Sequence, residues 1–362
     1  MKELFDKRIN QLREILSSEK ESVLLSNEVN IGYFCGFFHS EGYLIVTQNN
    51  SYLLVDFRYF EAAQKQAHCC KVICYKNLSD EIVSLFSKEN IECVRIEEDN
   101  MTVEKFEFFK IRFSEHNIST IASDELTGRI RKIRTIKDSN ELEKIQIAQN
   151  IAEKAYLEML NFVKPGVSER ELAARLEYYM KIGGAEDKSF DLITITGKKT
   201  SQPHGVPSDD IIKEGDFFTC DFGAVYEGYH SDTTRTVAVG YATDEMQEIY
   251  SIVLKAQLAA LDKIREGVLC SDIDKAARDI IEKAGYGKYF GHSTGHGVGL
   301  DIHEDPTVSP KGKTILKAGM VITDEPGIYL PNMFGVRIED MLCVIENGCK
   351  NFVSLPKELL IL

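Results

Sequence analysis

Two apolar runs of this chain carry acids where hydrophobic residues would be expected. Asp221 interrupts FFTCDFGAVY, and Asp324 and Glu325 interrupt MVITDEPGIY. Each run is followed by a second acid after a loop: Asp232 lies eleven residues after Asp221, and Glu339 fourteen after Glu325. A carboxylate buried without a partner is costly, so acids in such runs need cations. Any one of them alone reads as a salt bridge or a turn cap. The set of four reads as a metal site. Four carboxylates with one or two imidazoles suit a pair of divalent ions about 3.5–4 Å apart. Without cations they would repel one another and take up protons. Oxygen-rich ligands favour manganese, with cobalt or zinc as alternatives. Strand alternation turns Cys220 to the face opposite Asp221, and turns Asp324 away from Glu325, so neither joins the set.

The imidazoles come from GHSTGHGVGLDIHE (291–304), which holds three of the chain's eight histidines. Glycines at 291, 295, 297 and 299 rule out the helix that an H-E-x-x-H zinc site needs. A phosphate loop is excluded as well, because there is no G-x-G-x-x-G and no following lysine. Taken singly, His296 reads as a core histidine and His303 as a cap before EDP. The bare backbone around His296 favours a close approach and a ligand role.

Two copies of one unit position these groups. KPGVSERELAARLEYYMKIGG (164–184) matches REGVLCSDIDKAARDIIEKAG (265–285), and IIKEGDFFTCDFGAVY from 211 matches ILKAGMVITDEPGIY from 315. Lys213, Gly215 and Asp221 recur as Lys317, Gly319 and Glu325. A helix-then-strand unit used twice predicts a pseudo-twofold domain with its site in the cleft between halves. Its first helix starts after Asp138, with Glu141 three residues on as a capping box and Ile145, Ala148, Ala152, Ala155, Met159 and Phe162 as the buried stripe. Ahead of it, strand-like and helix-like segments alternate: MKELFDKRINQLREIL is an amphipathic helix, ESVLLSN and EGYLIVTQNNSYLLVDF supply strands, and further pairs follow. The division expected is a support domain over 1–128 and a catalytic domain over 129–362, with GRIRKIRTIKDSN as linker.

Composition narrows the class. The formal net charge of −14 leaves no footprint for nucleic acid. Nine scattered cysteines fit a reducing cytosol, and in AHCCKVICYK the thiols read as core residues rather than ligands. No apolar run approaches the roughly 20 residues that cross a bilayer, and the N-terminus lacks a signal-peptide core. These features predict a cytoplasmic protein without membrane contact.

Taken together, PHG (203–205), DFGAVYEGYHSDTTRT (221–236), GHGVGLDIHE (295–304), DEPGIY (324–329) and GVRIED (335–340) resemble the Xaa-Pro peptidases, the aminopeptidase P and prolidase branch of the pita-bread metallopeptidases. The first third resembles, more loosely, the creatinase-type N-terminal domain. The resemblance implies an α/β protein with that N-terminal domain followed by a pseudo-twofold α+β pita-bread catalytic domain. It implies Asp221, Asp232, His296, Glu325 and Glu339 as ligands of two divalent ions, with Asp232 and Glu339 bridging. Glu325 would shuttle the proton, His204 and His303 would line the substrate site and stabilise the tetrahedral intermediate, and Arg337 would support the site or bind polar groups of the substrate. Peptides with proline at the second position are the implied substrates, and a homodimer the implied assembly. Aminopeptidase P is the preferred branch and the dipeptidase, prolidase, the alternative. A non-catalytic binding protein on the same fold is a remoter one. His230 and His292 receive no role, and YFCGFFHSEG (33–42) reads as either a lid or a core turn.

Overall fold

The alternation of apolar runs and amphipathic stretches in the first third builds a single six-stranded sheet. In the computed structural model, which describes residues 2–38 and 41–362, the chain divides into two units, Met1–Arg134 and Thr135–Leu362. The strand order in the first is Lys71–Cys74, Ser51–Val55, Tyr43–Thr47, Glu21–Leu25, Cys93–Ile96, Ser119–Ala122. Only Tyr43–Thr47 runs against its neighbours: it returns antiparallel to Glu21–Leu25 after a helix, and the polar QNN turn then makes a tight hairpin to Ser51–Val55. Leu24, Ile45 and Leu54 pack with Ile82, Phe86, Phe109 and Phe113 in the core of this unit.

Several expectations shift here. The first helix, Lys2–Arg13, buries Phe5, Ile9 and Leu12, while Ile15 and Leu16 are buried beyond its end and Leu4 only partly. Helices Glu28–Cys35 and Val103–Ser114 have no expected counterpart. The stretch 33–42 therefore begins as the last turn of a helix that ends at Gly36, and its His39 and Ser40 lie outside the described residues. Cys69 and Cys70 are half-buried and Cys74 exposed, since Lys71–Cys74 is an edge strand rather than a core one. GRIRKIRTIKDSN is no linker over most of its length. Helix Asp124–Thr135 runs through the boundary expected at 128, with Leu126 and Ile130 buried beneath its basic residues.

The second unit opens on helix Ser139–Leu160, whose capping box forms as expected: Asp138 accepts from the Glu141 amide at 3.0 Å and Glu141 accepts from the Asp138 amide at 3.0 Å. The stripe from Ile145 to Met159 is buried, while Phe162 falls beyond the helix end and is half-buried. The repeat is visible in the backbone. Helix Glu169–Ile182 leads to strands Ile193–Thr196, Phe217–Phe222 and Thr233–Ala238; helix Cys270–Lys283 leads to Gly295–Gly297, Val321–Asp324 and Asp340–Ile345. Even the isolated bridges recur, Ser168 with Ile211 and Leu269 with Ile315. Gly215 and Gly319 sit at φ 79° and 88°, a conformation that tolerates a side chain poorly, which explains why both copies keep glycine. Among the described residues no helix is long and apolar enough to cross a membrane.

Candidate metal centre

The acids arrive where strands begin and end. Asp221 lies in Phe217–Phe222 opposite Thr234, Asp232 immediately precedes Thr233–Ala238, Glu325 immediately follows Val321–Asp324, and Glu339 immediately precedes Asp340–Ile345. Antiparallel pairing of Val321–Asp324 with Asp340–Ile345 brings Glu325 and Glu339 to the same end of that ladder. The two loops that separate the acids fold into small hairpins of their own, Ala224–Tyr226 with Tyr229–His230 and Gly327–Leu330 with Phe334–Arg337.

His296 reaches this cluster from a strand that has no room for side chains on either flank. A Cβ on Gly295 would stand 2.0 Å from the Thr323 carbonyl oxygen, and one on Gly297 would stand 2.2 Å from that of Asp305. The imidazole Nδ1 lies 3.0 Å from the Gly297 carbonyl oxygen, so Nδ1 carries the hydrogen and Nε2 presents a lone pair. That lone pair faces Asp232 Oδ2 at 3.5 Å and Glu325 Oε1 at 3.6 Å. Burial pushes the imidazole down to about 4, so it is neutral near pH 7. Ligand atoms of Asp232, His296 and Glu339 lie within 4.8 Å of one another, the one such triad among the described residues. Three acceptors converging without a donor between them is the arrangement a cation completes. Asp221 Oδ1 adds to the argument, since it is buried without a hydrogen-bond partner. The residues present fit divalent metal.

Electrostatics agree. Burial, then the neighbouring Asp221 and Glu325 charges, hold the Asp232 carboxyl well above the usual carboxylate range. Burial, then Asp232, does the same for Glu339, and burial pushes Glu325 up to about 8. Acids raised above their unfolded values bind extra protons in the folded chain, so apo stability falls as pH rises through about 8. Metal must displace those protons. Mn2+ affinity is therefore expected to rise from pH 6 to pH 8, about tenfold per unit for each proton released; titration calorimetry in two buffers of different ionisation heat measures that release, and a pH-independent affinity with no proton release would contradict it.

A second set of groups holds the acids in place. Arg337 is 4 % exposed and donates from Nη2 to Asp221 Oδ2 at 2.6 Å, from Nε to Thr234 Oγ1 at 3.0 Å, and from Nη1 to Tyr329 Oη at 3.0 Å and the Pro203 carbonyl at 3.2 Å. Thr234 in turn donates to Glu339 Oε2 at 2.7 Å. Four of the five guanidinium hydrogens are engaged in these bonds, which places Arg337 in support of the site. His292 joins the same network: its Nε2 lies 2.9 Å from Tyr329 Oη, while its Nδ1 faces the Ser293 carbonyl at 2.8 Å. Sequence reading left His292 unassigned and passed over Thr234 and Tyr329. Tyr329 does stand inside DEPGIY, but only pairing of Gly327 with Arg337 across the hairpin reveals its partner.

The remaining expected residues fall at the edge of the cluster. His303 is exposed with its ring 4.3 Å from that of His296, and the exposed His204 stands close enough to His292 to lower its pKa. Asp324 turns to the opposite side of its strand, where it neighbours Asp340 and Lys357 and is raised by burial. Cys220 is buried on the face away from Asp221. His230 lies outside the metal triad, its amide donating to the Gly299 carbonyl at 2.8 Å.

A duplicated α+β unit with acids at strand ends and a histidine on a glycine-flanked strand defines a class, that of pita-bread metallohydrolases. The family model for metallopeptidase family M24 matches residues 143–346, and that for the creatinase/prolidase N-terminal domain matches residues 8–136. The chain belongs to metallopeptidase family M24. It is 40% identical to the Xaa-Pro dipeptidase of Pyrococcus furiosus over 99% of this chain and 100% of that one. Among solved structures, the Xaa-Pro dipeptidase from Bacillus anthracis superposes with a TM-score of 0.95 at 39% identity, covering 99% of this chain and 100% of that one. The X-Pro aminopeptidase from Thermotoga maritima superposes at 0.91 with 34% identity, covering 98% and 100%.

Proposed function

We propose that this chain is a Xaa-Pro dipeptidase that works with two divalent ions, manganese being the choice that suits its oxygen-rich donor set. The observation that carries the hydrolase is the Nε2 lone pair of neutral His296 facing Asp232 and Glu325, with Glu339 in the same triad. The preference for the dipeptidase over the aminopeptidase is supported by the named activity of two full-length relatives at 39% and 40% identity. This reverses the preference drawn from the sequence motifs, which the two branches share.

Bound divalent cations supply Lewis acidity, activating water near neutral pH and polarising a peptide carbonyl. The chain's residues do the rest. Asp221, Asp232, His296, Glu325 and Glu339 form the ligand set. Glu325 can take the proton from the attacking water and deliver it to the departing prolyl nitrogen. His303 and His204, exposed beside His296 and His292, are placed to donate hydrogen bonds to the substrate carbonyl as it gains charge. An Xaa-Pro bond has no N–H, so recognition has to rest on the ring's shape and on such donors rather than on a contact to the amide.

The test is product analysis by mass spectrometry, with metal-stripped protein restored by Mn2+ and given Ala-Pro, Ala-Pro-Ala and Ala-Ala-Ala together. Ala-Pro is expected to be cut and Ala-Pro-Ala cut poorly. The reverse order would return the assignment to aminopeptidase P, and cleavage of Ala-Ala-Ala alone would remove proline from the reading.

A further inference from the structure

The two copies of the repeated helix each carry an acid and an arginine one turn apart, but two residues out of step: Glu171 with Arg175 in Glu169–Ile182, and Asp274 with Arg278 in Cys270–Lys283. In the first copy the pair lies on the surface, with side chains 46 % and 35 % exposed, and meets only through Glu171 Oε1. In the second the carboxylate is 1 % exposed and the pair is forked: Arg278 Nε donates to Asp274 Oδ2 at 2.8 Å and Nη2 to Oδ1 at 2.9 Å. A surface pair of this kind contributes little, whereas a buried one is kept at a desolvation cost. Two residues further along its helix, the second pair turns inward, and there it also holds backbone groups.

Arg278 donates from Nη1 to the Phe290 carbonyl at 3.0 Å and from Nη2 to the His292 carbonyl at 2.9 Å. Asp274 Oδ1 accepts from the Thr294 amide at 3.2 Å and from its hydroxyl at 2.8 Å. The Thr294 carbonyl then accepts from the Glu325 amide at 2.8 Å. One ion pair therefore fixes every second residue of 290–294, the segment that carries His292 toward Tyr329, enters the strand of His296, and supports the backbone of Glu325.

We propose that Asp274 and Arg278 are positioning residues for the hydrolysis, a clamp that sets His292 and Glu325 for reaction through the backbone of 290–294. The inference rests on the peptidase reading above. Neither residue touches substrate. Their effect comes from geometry, since displacing a reacting group by about 1 Å can cost on the order of a hundredfold in rate, and removing a group that orients ligands typically costs about 10–100-fold.

The experiment compares Arg278→Lys, Asp274→Asn and the surface control Arg175→Ala in the full chain saturated with Mn2+. Arg278→Lys keeps a charge for Asp274 but cannot reach both carbonyls, so it tests the clamp even where a truncation would not fold. In folded R278K and D274N, kcat is expected to fall about 10–100-fold with KM within about threefold of wild type, and amide hydrogen exchange across 290–294 to quicken. R175A should leave both unchanged. A kcat within twofold of wild type in R278K, or unchanged exchange at those amides, overturns the proposal, as does an equal effect from R175A. Hydrogen exchange is read without substrate, so if wild-type protein cut no Xaa-Pro peptide the function proposed above would fall while the clamp was still decided, with kcat taken on whichever peptide the wild type cleaves.

Discussion

Replacing Glu325 by glutamine is expected to lower kcat by about 10²–10⁴-fold, the range attached to a positioned proton carrier. The amide keeps the shape of the carboxylate and an oxygen to offer, but cannot carry a proton between water and the prolyl nitrogen. The same substitution should raise the stability of the metal-stripped protein above pH 8. Glu325 is pushed up to about 8 by burial, with Asp221 adding repulsion, so its folded pKa exceeds its unfolded one. Stability is lost as pH rises from the unfolded value to about 8, the loss is complete above that, and the neutral amide removes it. Steady-state kinetics on Ala-Pro with Mn2+, together with melts of stripped protein at pH 6 and pH 9, measure both effects. Activity retained within tenfold would move the proton step to another group, and a melting temperature lowered at pH 9 would contradict the electrostatic account.

Arg337→Ala is the second large effect. It leaves Asp221 with neither of its oxygens partnered, because Oδ1 already lacks a hydrogen bond and Oδ2 depends on the 2.6 Å contact from Nη2. Thr234 and Tyr329 lose their donor at the same time. Removing one member of a buried pair costs about 3–5 kcal/mol, and that loss is expected in denaturant unfolding of stripped protein at neutral pH. Arg337→Lys should recover part of it by restoring charge, yet cannot span Asp221, Thr234 and Tyr329 as the planar fork does. Mn2+ saturation should offset some of the loss in both variants, because a cation supplies Asp221 with a new partner. A fully stable Arg337→Ala protein would mean that the network tolerates an open position, and would weaken the supporting role given to this side chain.

The four acids were legible in the sequence because each breaks an apolar run or follows one after a loop, a pattern that burial costs make hard to explain without a cation. The repeat was legible because two copies of a helix-then-strand unit must solve the same packing problem, down to the glycines at 215 and 319. His296 stood out through its glycines, which the structure explains by carbonyl oxygens 2.0 and 2.2 Å from where side chains would begin. Alternation along a strand sufficed to set Cys220 and Asp324 aside.

Other features depended on contacts between residues far apart in the chain. Arg337 meets Asp221 across 116 residues and Thr234 across 103, and no local pattern encodes such a meeting. His292 and Tyr329 acquire their relation only when a hairpin and a loop fold against each other, 37 residues apart. The expected linker became a helix because Leu126 and Ile130 found a core to enter, which overrode a run of basic residues that read as solvated chain. Local patterns of burial, turn chemistry and repetition determined which residues could do chemistry here; long-range packing decided which hydrogen bond each one makes, because a donor's partner is set by where separate strands come to rest and not by its neighbours in sequence.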